Sequence, residues 1–355
     1  MSTSRLSRNI LGGATALVLL ILVCATAYAK DITVTSVDRD AARQVKNARH
    51  HAQPANTPAA RAGRPQQLSN MHQSRSSSSH DGDNDGGRVS RFPADLQFQG
   101  GQVVQSAESH PIFVNLASST HCNSVATCWG NPIGFLHDLG RSDFIHVADQ
   151  YTGVHRDDRY TVAPEGINVH VTVGANPLTD ADIQAIVHAV VVGAGLNTGY
   201  DNIFPVFLVP GQDECFDSTF TVCYSPDRPA SFAFCAYHSS ADFTDIGHVL
   251  YNVEPFQDVP GCNVRPGTPN GQLVDSTNDT LSHETIETIT DPDGDAWFNS
   301  VNLDLFGQEI ADECIFLVFT PTSVFSDPSN VILNGHRYAI QTEYNNKRHA
   351  CTTGA

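Results

Sequence analysis

The chain has 355 residues, 40% of them hydrophobic, with 20 Lys+Arg against 38 Asp+Glu and a formal net charge of −18. That length is enough for one large core or two smaller ones. So acidic a balance argues against nucleic acid as a partner, because affinity there rests on neutralising phosphates with Lys and Arg.

The first 29 residues read as an export signal. Arg5 and Arg8 form a basic start, Ile10 to Val23 an apolar run, and Ala27-Tyr28-Ala29 a small-x-small cleavage site. The apolar run is too short, and wrongly flanked, for a stable membrane span. Cys24 raises a lipoprotein reading, but Val23 before it is bulkier than such a site wants. No later segment is long and apolar enough to span. The expected mature protein is therefore secreted, extracellular or periplasmic, with no stable membrane span and no nucleic-acid partner.

Residues 30–95 read as a disordered linker or propeptide. They hold no cysteine and few large apolar residues, and they include Ser76–Ser79 and Asp81-Gly82-Asp83-Asn84-Asp85-Gly86-Gly87. From Lys30 to Ser90 the balance is 9 Lys+Arg to 6 Asp+Glu; from Arg91 onward it is 9 to 32. The acid thus sits in residues 96–355, expected as a single globular domain. Eight cysteines lie there, an even number that in an exported chain favours disulfides. No Cys-x-x-Cys occurs. Sequence order suggests Cys122–Cys128, Cys215–Cys223, Cys235–Cys262 and Cys314–Cys351, the first two closing short loops.

Within that domain, Ile112–Leu116 reads as a strand, and Ile167–Val173 alternates as a half-buried one. Thr179 and Asp180 offer a start for a helix through Val192, stopped by Gly193 and Gly195. Strands are expected at 205–209, 232–237, 249–253 and 338–342. A helix over about 276–289, capped by Asn278 or Asp279, ends before Pro292. The pattern predicts an α/β or α+β fold, with a mixed sheet packed against that last helix and stapled by disulfides.

That helix carries the chemistry. Ser282-His283-Glu284-Thr285-Ile286-Glu287 reads His-Glu-x-x-Glu, one residue away from the His-Glu-x-x-His of zinc peptidases. Four residues apart, His283 and Glu287 share a helix face and can hold one divalent metal. Glu284 stands where a zincin keeps its general base. A third ligand is expected from Gly307-Gln308-Glu309-Ile310-Ala311-Asp312-Glu313-Cys314, either Glu309 or Asp312, with Asp312 alternatively orienting His283. One imidazole with two carboxylates is a harder set than usual. Zinc is the first choice, and calcium or manganese compete. His238, at the end of an expected strand, could line the cleft. The competing reading is a surface helix bearing solvated glutamates. Asp291, Asp293 and Asp295 alternate like a calcium loop but lack its closing glutamate, so a polar helix-ending turn is the simpler account. No Gly-x-Ser-x-Gly occurs, and paired cysteines leave no thiol nucleophile.

Phe234-Cys235-Ala236-Tyr237-His238-Ser239, the Thr290-Asp291-Pro292 turn running to Trp297, Glu309–Cys314 and the Gln341–Cys351 segment occur in an order that resembles the phosphate-induced (EXORDIUM-like) secreted proteins. Bacterial members with a Ser-His-Glu-x-x-Glu-x-x-Thr-Asp-Pro core are the most similar. The resemblance covers roughly residues 110–355. It implies an extracellular or wall-associated protein linked to growth responses, without assigned chemistry, in which Glu309, Asp312 and Cys314 are architectural. His-Glu is not characteristic of the family at large.

Two functions follow as expectations. One is a zincin-like metal-dependent hydrolase acting on extracellular protein or cell-wall substrate, most simply a peptidase. The other is a non-catalytic extracellular EXORDIUM-like protein with a structural or vestigial metal site. A carbohydrate-active enzyme would need two carboxylates facing a groove at fixed separation.

Overall fold

The computed structural model describes residues 31–34, 51–60, 92–171, 176–318 and 329–355. The expected signal segment lies outside them.

Nine strands of the described residues build one sheet: β1 (Asp31–Val34), β2 (His51–Pro54), β3 (Ala107–Ser109), β4 (Ile112–Val114), β5 (Tyr160–Val162), β6 (Ile167–Val171), β7 (Asn202–Leu208), β8 (Phe234–Phe243) and β9 (Gly247–Glu254). The order is β1-β6-β4-β7-β9-β8-β2, with β3 pairing β5 and β7. From β1 to β9 every pair is parallel. β8 runs antiparallel to β9, and β2 antiparallel to β8. The expected α/β class with a mixed sheet is therefore present.

Both faces are covered, as a parallel sheet requires. All seven residues of β7 are buried. Its Ile203 and Phe207 belong to one core, and its Phe204, Val206 and Leu208 to the other. The second core is closed by α2 (Asp180–Ala194) through Ile183, Ile186, Val187 and Val190. A capping box of Thr179 and Asp182 starts this helix, and Gly195 at φ 65 ends it. The first core is closed by α1 (Pro132–Leu139) and α3 (Gln272–Thr290).

α3 is not a surface helix. Only five of its nineteen residues are apolar, yet all of Asp275–Thr290 is buried. Most of its Ser and Thr hydroxyls turn back onto the helix. Ser276, Thr280 and Thr288 donate to Gln272 O, Ser276 O and Glu284 O. The helix begins earlier than expected, at Gln272, with Gly271 as its N-cap. Asn278 and Asp279 are consequently interior rather than capping. Asp279 instead accepts from Gln341 N at 2.6 Å, and Asp275 accepts from Asn270 N at 2.9 Å. The end is as expected: Asp291 N closes onto Glu287 O, and Pro292 cannot continue. Leu281, fully buried between helix and sheet, should be a strong anchor. Leu281→Ala is expected to cost roughly 2–5 kcal/mol in urea unfolding.

Within the arm expected to be disordered over 30–95, residues 31–34 and 51–54 are strands, and most of the rest lies outside the described residues. β1 pairs at one edge of the sheet and β2 at the other, and the backbone gains ladder bonds at both. Such short strands need little apolar composition, because they cover existing edges rather than build a core. The four cysteine pairs expected from sequence order all lie at disulfide distance. Cys235–Cys262 anchors β8, and Cys314–Cys351 anchors α4 (Asp312–Val318) to the C-terminal segment. No helix of the described residues is long and apolar enough to cross a membrane.

Candidate metal centre

α3 lies against β8 and β9, and its buried face presents His283, Glu284 and Glu287 to three other elements. From β8 comes His238, from the turn before α4 comes Glu309, from the first residue of α4 comes Asp312, and from β2 comes His51. Every one of these side chains is buried.

The structure brings together three of the residues expected as ligands, His283, Glu287 and Asp312. His283 Nε2 is 3.1 Å from Glu287 Oε2 and 3.7 Å from Asp312 Oδ1. Two ligands each 2.0–2.1 Å from a tetrahedral zinc would stand about 3.3 Å apart. His283 Nε2 and Glu287 Oε2 make no hydrogen bond of good geometry among the described residues. Glu287 is itself held, its Oε1 accepting from Asp312 N at 3.2 Å. Asp312 therefore faces the imidazole's free edge rather than orienting its far side.

That orienting role falls to Gln341, which the sequence did not single out. Its Oε1 is 3.2 Å from His283 Nδ1, and its Nε2 donates to Ala311 O at 3.0 Å. With the amide so fixed, Nδ1 is the donor and Nε2 is left to face the carboxylates. Nε2 is then the ring atom that would meet a metal in place of its proton. Gln341→Leu should lower metal affinity about 10–100-fold in chelator competition, with the fold intact.

Glu309 does not join His283. Its carboxylate contacts His51 Nδ1 and lies 3.5 Å from His238 Nε2. The bend at Glu309–Ala311 points Glu309 toward β8 and Asp312 toward α3. His238 is more central than a cleft-lining residue. Its Nδ1 lies 3.3 Å from Glu284 Oε2 and 3.6 Å from Glu287 Oε2, and its Nε2 is 3.2 Å from Asp291 O. Three groups whose ligand atoms fall within 4.8 Å of one another thus interlock: His283-Glu287-Asp312, His238-Glu284-Glu287 and His51-His238-Glu309.

Burial and charge pull these groups apart. Burial pushes the Glu284 and Glu309 carboxyls well above the usual range, reinforced by neighbouring carboxylates. Burial disfavours charge on His283, but Glu287, Glu284 and Asp312 outweigh it and hold the imidazolium well above 6.5. His238 goes the other way, lowered by burial and by His51. Just behind, burial raises Glu343 well above its usual value, Glu254 to about 8 and Asp291 to about 7. The ion contacts of Glu284, Glu287 and Glu309 among the described residues are all to imidazoles. Holding so many carboxylates out of water costs several kcal/mol per ion unless protons or a cation neutralise them.

Glu254 gives that statement a test. Its two oxygens have no hydrogen-bond partner among the described residues. A folded value of about 8 against an ordinary 4.5 means the folded chain keeps a proton that the unfolded chain releases. The resulting stability is complete below about pH 4.5 and is lost as pH rises through about 8. In chelated protein, Glu254→Gln should match wild type at pH 4. Its advantage should then grow by about 1.4 kcal/mol per pH unit toward pH 8, read as melting temperature against pH.

The acidic turn after α3 is not a calcium loop. Asp291 Oδ1 accepts from Ala296 N at 2.6 Å, while Asp293 takes the Tyr200 hydroxyl at 2.6 Å and contacts His248. Asp291, Asp293 and Asp295 are not among the groups of ligand atoms that converge in the described residues. A further group, His146-Asp149-His155, is partly exposed, and Arg159 already neutralises Asp149. A surface cavity of about 500 Å³ is lined by Asp143, His146, His155, Arg348 and the C-terminal residues, away from α3.

Comparison of the chain with family models, with curated proteins and with solved structures gave no match.

Proposed function

We propose that this chain is an exported, metal-dependent hydrolase with a zincin-like site that acts on peptides. His283, Glu287 and Asp312 hold the ion, and Glu284 is the general base. The observation that carries this reading is the convergence of His283 Nε2, Glu287 Oε2 and Asp312 Oδ1 at ligand-like separations, with Nε2 turned toward the carboxylates by Gln341. A bound dication would polarise a scissile carbonyl and acidify a water. Glu284, next to His283 on the same buried turn, would take that water's proton. Its raised proton affinity suits it to the task. His238, kept neutral by burial and 3.3 Å from Glu284, would orient the base.

Zinc is the first choice for a site with one imidazole and two carboxylates, with calcium and manganese as competitors. Peptide rather than sugar as substrate is supported by β8. This antiparallel strand beside α3 already takes an extended segment, β2, along its outer backbone edge.

The second reading is a non-catalytic extracellular protein of the EXORDIUM-like kind, in which the same residues hold a structural ion. The complete burial of His283, Glu287 and Glu284 favours it. Metal analysis combined with hydrolysis separates the two. The full chain should carry about one tightly held divalent ion, His283→Ala should lose it, and casein or a peptide library should be cleaved only by the metal-bound form. Wild-type protein with no bound metal would sink both the hydrolase and the structural-ion readings.

A further inference from the structure

Residues 51–57 of the N-terminal arm lie against the buried site. We propose that the outer edge of β8 is the binding edge for an extended peptide substrate, and that His51–Thr57 is a built-in occupant holding that edge closed. This rests on the hydrolase reading for what happens after binding, but not for the binding itself.

Four observations carry it. First, β2 adds to β8 as an antiparallel strand, with His51 opposite His238, Ala52 opposite Tyr237, Gln53 opposite Ala236 and Pro54 opposite Phe234. Without β2, the ten-residue strand β8 would be the bare edge of the sheet at that point. Second, the arm's backbone reaches the chemistry. Gln53 N donates to Glu284 Oε1 at 3.3 Å, so a main-chain amide lies against the carboxylate assigned as the base. Third, His51 stacks on His238 with ring centroids 5.3 Å apart and contacts Glu309. The turn after α3 makes room for it. Gly294 stands at φ 68, and a Cβ there would come 1.9 Å from His51 Nε2. Fourth, the arm stays latched past the strand. Ala55 N bonds Ala233 O, Asn56 N bonds Gly261 O, and the Thr57 hydroxyl donates to Phe232 O.

An extended segment that crosses the base in main-chain register, with one side chain inserted among the acids, occupies the place a substrate strand would take. Alternate side chains point in and out along such a strand. His51 and Gln53 are buried while Ala52 and Pro54 are half-buried. The inward positions are therefore those flanking Ala52. A peptide with an imidazole or similar polar ring two residues before a small amide side chain should fit the same edge. Tethering gives the built-in segment an effective concentration in the millimolar range, so a free peptide of equal intrinsic affinity cannot compete while the arm is docked.

The test uses the full chain. In one form, His51→Asp and Gln53→Pro together loosen the arm, adding a like charge beside Glu309 and removing the amide that reaches Glu284. In a second form, a specific protease site placed in Ser76–Ser79 lets the segment carrying His51–Thr57 be cut from the domain with its own residues unchanged. A fluorescent peptide of residues 48–58 is the probe, read by anisotropy, with hydrogen exchange along β8 and metal content measured in parallel. Wild type should bind the peptide at least 10-fold more weakly than the loosened or the cut and washed form. The amides of Phe234–His238 should exchange faster on loosening and regain protection when peptide is added. If those amides stay protected and the peptide binds none of the forms, the proposal is overturned. Peptide binding in a protein that carries no metal would leave the binding edge standing and remove the hydrolase reading. Bound metal with no peptide binding would do the reverse.

Discussion

Glu284→Gln should abolish hydrolysis without emptying the site. In protein freed of the docked arm, the rate on a peptide substrate should fall by about 10²–10⁴-fold, the usual effect of removing a general base. Bound metal should be unchanged, because the three ligand atoms belong to His283, Glu287 and Asp312. The amide keeps the size of the carboxyl and can still receive Gln53 N, so the arm should dock as before. Equal loss of metal and activity would mean that Glu284 is a ligand in the His238-Glu284-Glu287 group rather than a base. Retained activity would remove Glu284 from the chemistry altogether.

Metal removal should destabilise the protein, and more so in alkali. An ion bound at a free concentration 1,000 times its Kd contributes about 4 kcal/mol to the folded state. For a domain of this size that corresponds to about 10 °C in melting temperature. The sign of the pH effect follows from the buried acids. Glu284, Glu309, Glu343 and Glu254 are all raised by burial. Below about pH 4.5 protons neutralise these groups in both folded and unfolded chains, so chelation should change little. As pH rises toward 8 the folded chain must strip or retain those protons at growing cost, and an ion becomes the alternative neutralising charge. Melting curves with and without chelator at pH 5 and pH 8 check this. An equal shift at both values would show that the acids do not depend on the ion.

Much of this was legible in the chain, and the illegible parts share a cause. The periodic signals held where burial follows local pattern: Ile167–Val171 alternates in the sheet, and Asp180–Ala194 carries its capping box and terminal glycine. Cysteine order gave the four pairs because each pair closes a loop short enough to lie within one local unit. His283 and Glu287 were legible because i,i+4 spacing is a property of any helix. The choice between Glu309 and Asp312 was not, because it depends on how one bend is oriented. Composition misjudged the motif helix. Its polar residues look like a solvated face, yet they are buried: Asp279, Asp275 and Thr280 are satisfied inside by Gln341 N, Ala339 N and Ser276 O. Gln341 and His51 carry no spacing signal. The His50-His51 pair in an otherwise featureless arm was the one hint of the latter.

The central claim is that one divalent ion sits between His283, Glu287 and Asp312. Crystals of the full chain grown with zinc, with anomalous data collected on both sides of the zinc edge, test it directly. A single strong anomalous peak is expected about 2.0–2.2 Å from His283 Nε2, Glu287 Oε2 and Asp312 Oδ1. A peak confined to His51, His238 and Glu309, or no peak inside the domain, would contradict it.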